Sequence, residues 1–147
     1  MSAPALPETG KAVRVMYVGL ALTALAALAP LIDVATVDSL GDHVRSAYPN
    51  WPDDLIATDR NAIAGYLAVI GVLGIAGWVW SIIGARKHAR WARVVSTIMF
   101  ALGASAALLN LSLSGGAYTN VVPPLHSALG ALPALAGLAA VFLLWKR

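Results

Sequence analysis

The 52 residues from Val94 to Trp145, VVSTIMFALGASAALLNLSLSGGAYTNVVPPLHSALGALPALAGLAAVFLLW, contain no Asp, Glu, Lys or Arg. A helix crossing the hydrocarbon layer needs about 20 predominantly apolar residues. The stretch therefore holds two crossings, provided that the chain turns within Ser114–Pro124. That segment has the chemistry of a turn: Ser114-Gly115-Gly116-Ala117-Tyr118-Thr119-Asn120 supplies glycine and small polar side chains, and Pro123-Pro124 gives the next helix a sharp start.

Toward the N-terminus, the same absence of fixed charge recurs over the 23 residues Asn61–Ile83 and the 18 residues Val15–Ile32. Four spans follow, at about 13–32, 61–83, 93–113 and 125–145. The expected fold is all-α: a polytopic membrane protein with four transmembrane helices in a compact up-down bundle. Composition agrees, because only 12% of the 147 residues are charged, against about 25% in soluble domains. Residues 1–12, with Pro4 and Pro7, are expected to form a disordered cytoplasmic tail, and residues 13–147 a single domain. Lys11 and Arg14 before an apolar stretch imitate a signal peptide. The stretch is longer than a signal core and three spans follow it, so a retained first helix is expected. Pro30 is expected to bend or end that helix.

Charge placement sets the orientation. Lys11 and Arg14, then Arg86, Lys87, Arg90 and Arg93, then Lys146 and Arg147 fall on one side of a four-span chain, and only Arg45 and Arg60 fall on the other. The positive-inside rule places both termini and the 84–93 loop in the cytoplasm of an inner membrane, with loops 33–60 and 114–124 on the outer face. The formal charge of +3 is thus a matter of topology, and no nucleic-acid partner is expected.

Loop 33–60 carries six aspartates. Val34, Val37, Leu40, Val44 and Tyr48 recur at helical spacing and predict a short amphipathic helix on the outer surface. Tyr48-Pro49-Asn50-Trp51-Pro52 reads as a turn with aromatic anchors, and Asp53 or Asp59 as a cap for the next helix. Asp38, Asp42, His43, Tyr48, Trp51, Asp53 and Asp54 are the candidate residues for an outer interaction surface. On the opposite side, Arg86, Lys87, Arg90, Trp91 and Arg93 are candidates for contact with anionic lipid headgroups. Gly71, Gly74, Gly77, Gly103, Gly130 and Gly137 are candidates for close helix packing.

Chemistry is sparsely encoded. Cysteine is absent, which excludes disulfides, thiolate metal sites and cysteine nucleophiles. His43, His88 and His126 are scattered; His43 meets His126 only if the outer loop folds over the bundle. The aspartates lack the glycine and terminal glutamate of a calcium loop, so they read as a solvated face. No nucleophile elbow, phosphate loop or dinucleotide motif occurs. No catalytic or metal residue and no cofactor is assigned, and enzymatic function is disfavoured. No fixed charge lies at the middle of any span, which argues against proton-coupled transport by this chain alone.

The run Trp80…Gly84-Ala85-Arg86-Lys87-His88-Ala89-Arg90-Trp91-Ala92-Arg93-Val94-Val95-Ser96-Thr97 resembles uncharacterised small four-helix integral membrane proteins of actinobacteria, in which a tryptophan-ended helix leads through a short basic loop into the next helix. The resemblance covers about 18 residues. It implies an inner-membrane, four-helix setting and carries no catalytic assignment. The function expected is that of an accessory or structural membrane subunit, which packs against a larger complex or its own copies and presents the outer loop for recognition. Its partners would be membrane lipids and a membrane protein or a second copy. The alternative is a small transport or channel component for an unidentified solute.

Overall fold

The computed structural model describes residues 7–146. The fold is all-α, with helices α1 (Pro7–Ala35), α2 (Ser39–Ala47), α3 (Asp53–Arg86), α4 (Trp91–Ser112) and α5 (Pro124–Trp145). All but α2 are long and apolar enough to cross a membrane, and the chain reads as a multi-pass membrane protein. The four long helices form a ring in which α1 packs on α3 and α5, and α4 closes the ring against the same two. The α3–α4 seam is the thinnest of the four. Large apolar side chains such as Val72, Leu108, Leu135 and Phe142 point outward, as they do where the surroundings are lipid tails rather than water.

Three boundaries differ from the sequence reading. α1 begins at Pro7 rather than near residue 13, because Ala12 and Met16 are fully buried against Ile82, Ala85, Ala140 and Leu144 and hold the helix past its apolar window. Residues 1–6 of the expected tail lie outside the described residues. α1 also continues through Pro30, which is buried, to Ala35. Packing holds the turn that Pro30 deprives of a hydrogen bond. α3 has 34 residues, about 51 Å at 1.5 Å per residue, and so stands well proud of a layer about 30 Å thick.

The extra turns of α3 are used at one end of the bundle, called here the capped end. α2 lays Leu40 and Val44, both fully buried, against Ile56, Ile63, Ala64 and Leu67 of α3 and against Val122. The amphipathic helix thus packs on the bundle itself. Val37, expected on its apolar face, lies before the helix and is 79% exposed. A second core closes the opposite, basic end, where Met16 and Ile82 meet Ala140 and Leu144. Each end of the bundle thus carries its own packed core.

Candidate functional site: the capped end, the basic loop and the central cavity

At the capped end the polar residues mostly satisfy one another. Asp33, near the end of α1, accepts from the backbone N–H of Ser39 (3.2 Å) and of Leu40 (2.9 Å) and from the Ser39 hydroxyl (2.5 Å). It supplies partners to the first turn of α2, where helix donors are otherwise unpaired. Asp38 caps α2 by accepting from Gly41 N–H at 3.2 Å, and its other carboxylate oxygen pairs with Arg60 at 3.2 Å. It adopts a left-handed conformation, φ 55°, which aspartate tolerates better than most residues. Neither Asp53 nor Asp59 caps α3. Pro52 occupies that position without a side-chain hydrogen bond, while Asp53 and Asp54 sit in the first turn and complement the helix dipole.

The 113–123 connection is locked onto this platform. His43 Nε2 lies 2.9 Å from Asn120 O and 3.1 Å from Val121 O, and its ring stacks on Tyr118. The Tyr48 hydroxyl accepts from Ala117 N–H at 3.0 Å, and Tyr48 stacks on Trp51 with ring centroids 3.7 Å apart. Gly116 turns the chain beside Tyr48 at φ +55°. Tyr118 donates to Asp59 of α3. Burial, together with the hydrogen bond to Asp59 and its charge, pushes the Tyr118 phenol well above its ordinary value of 10.

Of the seven candidate interaction residues, then, Asp38, His43, Tyr48 and Trp51 hold the cap together. Asp42, Asp53 and Asp54 are exposed. Arg45 reaches Asp53 at 3.3 Å and approaches Asp42 at 4.0 Å, with the two acid side chains 92% and 73% exposed. Such surface pairs add little stability. They form an open charged face. Among the described residues no group of three or more His or acidic side chains is placed to hold a metal ion.

At the basic end, Arg86, Lys87, Arg90 and Trp91 are exposed and Arg93 is half-buried. Aromatic contacts organise them: Arg86 Nη1 donates to the Tyr17 hydroxyl at 3.2 Å, and the Arg93 guanidinium lies 5.3 Å from the centre of the Trp145 ring. Trp80 and Trp91 lie 6.3 Å apart, centre to centre. The loop between α3 and α4 closes through His88, in the left-handed region at φ 52°, with Ala89 N–H donating to Gly84 O.

The glycines divide into two groups. A Cβ on Gly71 would collide with Ala27 of α1, and one on Gly74 would approach the Thr23 methyl at 2.9 Å. Gly77 and Gly137 meet Met99 and Phe100 of α4. A Cβ on Gly103 would have no neighbour within 4 Å, and one on Gly130 would meet only Asn110 Nδ2, at 3.9 Å. These last two make no such close contact, although all six glycines border one cavity.

That cavity, about 390 Å³, lies within the ring between the two end cores, in the size range of small-molecule sites. Its walls are apolar, with Met16, Met99 and Phe100 among them. His126 and Asn110 border it toward the capped end and Ser96 toward the basic end. The Asn110 side-chain oxygen accepts from the Tyr66 hydroxyl at 2.6 Å, and its backbone oxygen accepts from Ser127. His126 is 5% exposed, and neither of its ring nitrogens has a hydrogen-bond partner; the Ser96 hydroxyl also has none. Leaving such a group unsatisfied costs about 1–3 kcal/mol. The sequence places His126 at the membrane boundary but does not show that it faces inward with its nitrogens unpaired. That inward placement depends on how α4 and α5 meet, which brings Asn110, Gly130 and His126 to one cavity wall, and no sequence pattern signals it.

Comparison with known protein families, curated proteins and solved structures finds no match to this chain.

Proposed function

We propose that this protein is an accessory subunit of the cytoplasmic membrane, which uses its capped end to recognise another membrane protein or a second copy of itself. The observation that carries the reading is the construction of the cap. α2, the Tyr48–Trp51 stack and the 113–123 connection are cross-linked by side-chain hydrogen bonds, which leaves Asp42, Asp53 and Asp54 facing outward on a fixed frame. A rigid platform loses little conformational entropy when a partner docks. Charge bias supports an orientation with the cap outside and both termini in the cytoplasm. Arg86, Lys87, Arg90 and Arg93, with Trp91, then anchor the inner face to anionic headgroups.

The test is the mass and composition of the protein released from its own membrane in native-lipid particles. A reproducible assembly with a second membrane protein, or a homo-oligomer, that dissociates on reversing the charges of Asp42, Asp53 and Asp54 supports the reading. A lone monomer contradicts it. A second reading, a small transport or channel component, is favoured by the polar groups that border the central cavity. Solute flux through vesicles containing only this chain would support it.

A further inference from the structure

We propose that the central cavity is a binding site for a neutral single-chain lipid, whose hydroxyl or carbonyl head lies between His126 and Asn110 and whose hydrocarbon tail runs along α4 toward Met99. This goes beyond the accessory role and does not depend on it.

Four observations converge. The first is position: a packed core lies toward each end of the bundle, and the space between them borders the side of the ring. The α3–α4 seam is thin, and Leu73 and Leu102, which line the cavity, are 66% and 61% exposed on the bundle's outer surface. A molecule dissolved in the bilayer can enter there without crossing water.

The second is shape. Asn110 and Ser96, both lining residues, are fourteen positions apart on one helix, about 21 Å at 1.5 Å per residue. A space of that length, holding about 390 Å³, is elongated along α4 and suits one extended hydrocarbon chain.

The third is chemistry. His126, 5% exposed, borders the cavity with both ring nitrogens unpartnered. A neutral imidazole offers one donor and one acceptor, and a small rotation of the ring presents either to a head group. Asn110 Nδ2 lies toward Gly130, on the same stretch of wall. A hydroxyl or carbonyl oxygen can accept from either group.

The fourth is charge. Among the described residues, no lysine or arginine lines the cavity. Nothing there pairs with an anionic head, which favours an alcohol, ester or ketone over a fatty-acid carboxylate.

The full chain in nanodiscs is exposed to a diazirine-bearing hexadecanol, irradiated and mapped by mass spectrometry. Saturable labelling of cavity-lining residues on α4 and α5, competed by unlabelled hexadecanol, is the expected result. Gly130→Leu, which places an apolar side chain into open space, should lower saturable labelling at least tenfold. His126→Phe should weaken the alcohol probe roughly tenfold, the loss of one buried hydrogen bond, while leaving a headless alkane diazirine unchanged. Thermal unfolding of each variant checks that it folds.

Labelling that never saturates and is confined to outward-facing residues would overturn the proposal, and this outcome needs only the unsubstituted protein. Tighter capture of a diazirine-bearing palmitate than of the alcohol would overturn the neutral head. Equal loss of the alcohol and alkane probes in His126→Phe would overturn the role of the imidazole.

Discussion

At the scale of single residues, the capped end depends on a few aspartates that each perform two tasks. Asp38 receives the Gly41 N–H, pairs with Arg60 and occupies a left-handed conformation. Asp38→Ala removes the cap, the ion pair and the residue type suited to that conformation. It should cost α2 about 1–2 kcal/mol, read as an increase of roughly tenfold in amide exchange at Gly41–Val44. Asp38→Asn retains the cap and should cost well under half as much. The Tyr118 phenol holds its proton more tightly in the folded protein than in the unfolded chain. Above about pH 10 the unfolded chain releases that proton while the folded state keeps it, so stability falls as the pH climbs. Tyr118→Phe should reduce the alkaline loss, as followed by thermal unfolding between pH 8 and pH 11. Asp33 and Asp38 show how far sequence carries at this scale. The caps expected from sequence, Asp53 or Asp59 before α3, do not form, and Asp33 of α1 reaches its partners in α2 across six and seven positions, beyond any local capping pattern.

At the scale of helices, α1 and α3 interlock through a ladder of small and large side chains. The Trp78 indole covers Gly19 and donates to Thr23 at 2.8 Å, Thr23 also meets Gly74, and Ala27 meets Gly71. The glycine periodicity of α3 made close packing legible in the sequence, since Gly71, Gly74 and Gly77 all meet neighbours. It did not separate glycines pressed against a neighbouring helix from Gly103 and Gly130, which have open space beside them, because all six lie on faces that border the same cavity. The distinction is testable. Gly71→Leu must displace α1 and should cost several kcal/mol, as overpacking of a close contact does. Gly103→Leu enters open space and should change the unfolding temperature little. Similar losses in the two variants would contradict the packing described. The reach of α1 through Pro30 was not legible either, because a proline's effect depends on whether packing holds the turn around it.

At the scale of the whole molecule, the four spans were readable from charge-free runs alone, since no other architecture hides such lengths of apolar chain. The cavity was not, because a void is a property of how four helices meet and leaves no periodic mark. The proposed orientation connects the architecture to both proposed surfaces: a cap turned outward would meet protein partners and a basic loop turned inward would meet anionic lipid. The chain contains no cysteine, so single thiols can be introduced at exposed sites without removing any. Asp54→Cys and Lys87→Cys, treated with a membrane-impermeant maleimide, test the arrangement most directly. With the cap outside, Asp54→Cys is labelled in intact cells and Lys87→Cys only after the membrane is opened. Labelling of both from the same side, or the reverse pattern, would contradict that orientation.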